Sequence, residues 1–71
     1  MERKYTMRRT LAAAIIYRIH EENLPIEVHE GNEQVDCHGD KQVDILLIYD
    51  NPDLVNNVIS DTINEYMFNY V

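Results

Sequence analysis

The side chains best equipped for chemistry lie in the first nine residues: Arg3, Lys4, Arg8 and Arg9, with Tyr5 among them. Arginine forks match phosphate and carboxylate geometry, and lysine adds a compact point charge. If this stretch opens a helix, unpaired N–H groups and the positive end of the dipole favour an anion at the same place. The chemistry on offer is capture of a small anionic ligand such as a nucleotide or phosphate, or of an acidic segment of a partner. The competing reading is internal neutralisation, because residues 19–71 carry twelve carboxylates against Lys41 alone. Residues 1–18 sum to +4 and the remainder to −11, giving the net −7. A basic opening before an acidic body bears on steering and partner choice rather than on fold.

Other constellations point less far. His29, Cys37, His38 and nearby carboxylates contain the right atoms for a metal, but neither CxxC nor HxxxH spacing is present. On a strand, adjacent Cys37 and His38 would point to opposite faces. The same geometry argues against a Cys–His nucleophile pair. No catalytic residues, metal or cofactor are expected, and the chain reads as a non-enzyme. Cys37 reads as a small buried apolar residue, and His20 as a complement to the negative end of a helix. Glu27, Glu30, Glu33, Asp36, Asp40, Asp44 and Asp50 lie in or beside the expected sheet, as in an acidic inhibitor that imitates DNA. The basic opening would repel such a target, and the acidic body disfavours nucleic acid as a partner.

Seventy-one residues make one small domain, residues 1–71, of a size that is marginal alone. Cys37 is the only cysteine, so no internal disulfide can staple it, and a lone thiol fits a reducing, cytoplasmic setting. Oligomerisation is the remaining staple, with a homodimer favoured. No stretch is long enough to span a membrane. The short apolar run from Leu11 to Ile16 is closed by Tyr17 and Arg18, and reads as folded helix rather than as a leader.

The elements that must position these groups follow from periodicity. Met7, Leu11, Ile15 and Ile19 recur at i, i+4, which predicts a helix from Tyr5 to about Glu22 with Thr6 as its N-cap. Asn23-Leu24-Pro25 ends it. Ile26 to Glu30 alternates as a strand, Gly31-Asn32 suits a type II′ turn, and Glu33 to Cys37 alternates again. His38-Gly39-Asp40 makes a second turn before the strongest strand, Gln42 to Tyr49. Pairing residue 35 with 43 gives a core face of Ile26, Val28, Val35, Cys37, Val43, Ile45, Leu47 and Tyr49. The expected fold is α+β: helix, three-stranded antiparallel meander, helix, with both helices on one face.

The last helix begins at Asn51-Pro52-Asp53, which are N-cap, first helical residue and dipole partner. From Leu54 onward, apolar pairs repeat every four residues, so the stripe drifts by about 40° per step. The early half should cover the sheet, while Tyr66, Met67, Phe68, Tyr70 and Val71 should face another neighbour. Leu46 and Ile48 lie on the sheet face that no helix covers. Together these seven residues form the expected interface. The function read from these features is a non-enzymatic protein-interaction module, an inhibitor or adaptor that acts as a homo-oligomer on a protein target.

Overall fold

Glu2–Arg8 is extended rather than helical, and this changes the topology. The order is β1 (Glu2–Arg8), α1 (Arg9–Glu21), β2 (Ile26–Val35), β3 (Lys41–Tyr49) and α2 (Pro52–Phe68). The computed structural model describes residues 1–68, with side chains through Tyr66. The α+β class and the three-stranded antiparallel sheet are as expected. The helix-first meander is not: the strands lie in the order β1-β3-β2, so β3 is central and antiparallel to both neighbours.

The reason lies in how β1 alternates. Its register runs unbroken from Glu2↔Ile48 to Arg8↔Gln42. Arg3, Tyr5 and Met7 share a face with Leu47, Ile45 and Val43, and Tyr5 and Met7 pack against the core. Glu2, Lys4, Thr6 and Arg8 occupy the opposite face and are exposed. Met7 therefore reaches the core from a strand, while Leu11, Ile15 and Ile19 reach it from a helix. One i, i+4 series spans two elements.

Helix α1 starts at Arg9 without a side-chain cap. Thr6 does not cap it; its hydroxyl donates to Asp44 Oδ1 at 2.6 Å. The helix ends in a Schellman motif: Leu24 N–H bonds to the Ile19 carbonyl at 3.0 Å, and Asn23 N–H to that of His20 at 3.2 Å. Asn23 takes the left-handed conformation this requires, at φ 50°. Asparagine tolerates that region better than most residues.

Gly31-Asn32 is not a turn. β2 runs through it with a bulge between Glu30 and Glu33, and the glycine has no positive φ. A Cβ on Gly31 would lie 3.1 Å from Asp44 Cβ, so close strand approach explains the glycine. The hairpin loop is longer than expected, residues 36–40 instead of 38–40, with Val35 opposite Lys41 and Glu33 opposite Val43. Asp36 organises it, accepting from the His38 and Asp40 amides at 2.9 and 3.0 Å, while Gly39 supplies φ 84°. Cys37 consequently lies exposed in the turn instead of in the core, and Val35 is 65 % exposed.

One apolar cluster joins both helices to the same face of the sheet: Ala12, Ile15 and Ile19 of α1, Val55 and Val58 of α2, and Ile26, Val43, Ile45, Leu47 and Tyr49. Fully burying a side chain such as Ile45 or Leu47 contributes about 1.5–3 kcal/mol. Asn51 Oδ1 accepts from the Asp53 amide at 3.0 Å, so the N-cap and Pro52 stand where the spacing placed them. The buried line of α2 runs Val55, Val58, Thr62, following the true helical period. By that point the apolar repeat has moved on, leaving Ile63 half-buried beside a buried threonine. Thr62 satisfies itself by donating to the Val58 carbonyl at 2.7 Å.

Two outcomes are expected. Ile45→Ala should cost about 2–5 kcal/mol in a denaturant titration, because the site is enclosed on all sides. Met1 and Tyr49 exchange both backbone bonds at 2.8 Å, so along β1 the odd residues aim their N–H groups at β3 and the even residues aim theirs outward. In dilute solution, amide exchange should be slow at Arg3, Tyr5 and Met7 and fast at Lys4 and Thr6; uniform protection would contradict the strand.

Candidate functional site

The strand separates the basic residues that the spacing grouped at a helix start. Arg3 lies on the helix-facing side, Lys4 and Arg8 on the open side, and Arg9 begins α1. Three of them face carboxylates: Lys4 to Asp44 at 3.6 Å, Arg8 to Asp40 at 3.6 Å and Arg9 to Glu33 at 3.5 Å. Arg3 instead donates to the Tyr5 hydroxyl at 3.5 Å, and that bond is the main cause of its raised pKa. Internal neutralisation is thus realised for three of the four cations. A remnant of the anion geometry survives in a cleft of about 290 Å³, where Arg8, Arg9 and Lys41 meet Thr10, Asp40 and Tyr66.

The carboxylates are similarly committed. Asp44 is buried in the sheet between Thr6 and Lys4, Asp36 is spent on its own hairpin, and Glu27 lies 3.3 Å from His29. Among the described residues no three His, Cys, Asp or Glu side chains gather as a metal ion would require. No described helix is long and apolar enough to cross a membrane.

The open face explains Leu46 and Ile48 in part. Each is half-buried, flanked in register by Lys4 and His29, and by Glu2 and Glu27, respectively. Long side chains on the two edge strands lie alongside them. The expectation that only a partner could cover them did not include β1. Met67 and Phe68 are described as helical backbone only; their side chains, and Tyr70 and Val71 altogether, lie outside the described residues.

A further concavity was missed by sequence reasoning. It is a half-open groove of about 500 Å³ between the outer flanks of α1 and α2. Tyr17, 68 % exposed, and Tyr66 supply aromatic surface, and Glu21, Glu22 and Glu65 supply carboxylates. Tyr66 is tied to α1 through its hydroxyl, 3.0 Å from that of Thr10. Arg18 is part of the groove and bridges the helices, pairing with Glu65 and lying 3.9 Å from Asp61. The hydrogen bond to Glu65 is the main reason its pKa is raised. Its side chain is only 20 % exposed, so the aliphatic stem packs while the fork spans the gap. A signal was present in sequence, since Ala14, Tyr17, Arg18 and Glu21 recur at i, i+3, i+4 and i+7. That flank gave no reason to be read as a site without knowing where α2 lies.

Comparison of the chain with family models, with curated proteins and with solved structures returns no match. The geometry alone carries the functional reading.

Arg18→Met should keep the packed stem and lose the bridge. We expect a loss of about 1 kcal/mol in thermal or chemical unfolding. The gap between variant and parent should narrow in high salt; an unchanged gap would mean that packing, not charge, is the contribution.

Proposed function

We propose that the chain is a small non-enzymatic interaction module, an inhibitor or adaptor of a protein target, working as a homo-oligomer in a reducing, cytoplasmic setting. The observation that carries the reading is the α1–α2 groove, where exposed aromatic surface adjoins Glu21 and Glu22, with Glu65 held by Arg18. Tyrosine faces and carboxylates together suit the guanidinium or ammonium group of a partner's Arg or Lys. Tyrosine is also enriched where proteins meet. The occupant we assign is therefore a basic segment of a protein target. Net charge in the acidic body would steer it inward. The DNA-imitating variant of this reading is weakened by the pairing of Glu33, Asp40 and Asp44 with cations of the same chain.

A titration of the isotope-labelled protein with a tri-arginine peptide tests this. Amide shifts should concentrate at Tyr17, Arg18, Glu21, Glu22 and Glu65, with tri-glutamate producing none. Tyr17→Ala should weaken the peptide about three- to fivefold, as loss of one exposed cation–π contact would. Shifts confined to the open sheet face, or none at millimolar peptide, would remove the groove from the account.

A second reading is favoured by the cleft at the start of α1, in which three cations meet one carboxylate. It is the binding of a small phosphate-bearing anion. Inorganic phosphate or a nucleotide should then raise the melting temperature in a concentration-dependent way, and Arg8→Ala with Arg9→Ala should abolish the shift. Equal shifts from sulfate and chloride at matched ionic strength would reduce the effect to screening.

A further inference from the structure

The edges of the sheet are unequal. On β2 the outward-facing backbone is interrupted by the bulge between Glu30 and Glu33, and the Ile26 amide is already bonded to the Leu24 carbonyl at 2.8 Å. Bulges, prolines and charged side chains are common devices for keeping an edge unpaired. β1 has neither a bulge nor a proline along Glu2–Arg8. Because Met1 and Tyr49 form a doubly bonded pair, the outward N–H and C=O groups of β1 belong to its even residues Glu2, Lys4 and Thr6, joined by the Arg8 N–H, while the Arg8 carbonyl turns into the first turn of α1.

We infer that β1 is the dimerisation edge, pairing antiparallel with β1 of a second copy about a two-fold axis at Tyr5. Antiparallel pairing requires outward-bonding residues to face one another, so even must meet even. Centring on Tyr5 satisfies this, with Glu2 opposite the partner's Arg8, Lys4 opposite Thr6, and each of these repeated by symmetry. The charge order of the strand is thereby self-complementary, with opposite charges at both ends and a hydroxyl facing the lysine. Tyr5 meets its own copy in the non-bonded position at the centre, where side chains come closest. The same operation on β2 would bring glutamates toward glutamates. The product is a continuous six-stranded antiparallel sheet, β2-β3-β1-β1-β3-β2, with an isologous, closed interface.

The inference deepens the assembly part of the proposed function and names its surface. It is independent of the groove, so failure of the peptide titration and failure of the dimer are separate results. Seven residues a side bury less than a standard interface, so association belongs in the micromolar to millimolar range.

Sedimentation equilibrium from about 10 µM to about 1 mM, with amide exchange at both ends of the range, tests it. A monomer–dimer equilibrium is expected, with Lys4 and Thr6 amides becoming protected as the dimer forms. Glu2→Arg or Arg8→Glu alone should weaken dimerisation about tenfold, and the two together should restore it, since both cross-strand pairs are then reversed. Lys4→Pro removes an outward N–H and should give a folded monomer, as proline is tolerated on an edge. A monomer throughout the range would overturn the inference. So would a dimer whose Lys4 and Thr6 amides stay fast, or single and double charge reversals with the same effect.

Discussion

The fold depends on β3 having a neighbour on each side. Six of its nine residues are apolar, and they are distributed over both faces: Val43, Ile45, Leu47 and Tyr49 toward the helices, Leu46 and Ile48 away from them. A strand of that kind at an edge would combine unpaired backbone with exposed apolar surface, a template for aggregation. Inserting it between β1 and β2 satisfies the backbone. It also places Leu46 and Ile48 among long polar side chains. The helices then need to cover one face only, and the pairing of Val55 and Val58 with Ile15 and Ile19 over that face completes the core. Everything else, including the groove and the free edge, is a consequence of where β1 goes.

The charge asymmetry acquires a structural meaning from the same pairing. The basic opening is laid across the acidic body: Lys4 beside Asp44, Arg8 beside Asp40, Arg9 beside Glu33. Exposed pairs of this kind contribute little individually. Asp44 differs because it is buried, and a buried carboxylate is costly without partners; Thr6 and Lys4 are those partners. The polarity of the sequence is therefore largely spent within the chain, tying β1 and the start of α1 to β3, the hairpin loop and β2, and only its remainder is left for ligands. On the far side, Arg18 performs a related role by bridging α1 and α2 across a groove whose carboxylates outnumber its cation.

Much of this was legible where one physical signal acted alone. Alternation identified Ile26, Val28, Val43, Ile45, Leu47 and Tyr49 as one face, and the paired repeat placed Val55 and Val58 in the half of α2 that covers the sheet. Asn51 and Pro52 marked the start of α2 by local hydrogen bonding and a missing donor. Reading failed where two signals coincided. Met7 satisfies both the helical spacing and the period of two, and only the partner strand decides between them. Gly31 looked like a turn residue because conformational freedom and lack of a Cβ cannot be told apart in sequence; the need here is for space beside Asp44. Cys37 was misplaced because Asp36, which bonds within its own hairpin, widens the loop by two residues and takes Cys37 out of the strand. The basic cluster failed for the same reason as Met7, since a strand divides between two faces what a helix would gather at one end.

The placement of β1 is the central claim, and proton distances across the sheet test it most directly. Non-bonded pairs of an antiparallel ladder bring α-protons into close contact. Nuclear Overhauser spectra should therefore connect the α-protons of Lys4 with Leu46 and of Thr6 with Asp44, pairs that the register sets opposite each other. Contacts of helical type from Tyr5 and Thr6 to residues three and four positions on, with none to β3, would contradict the account.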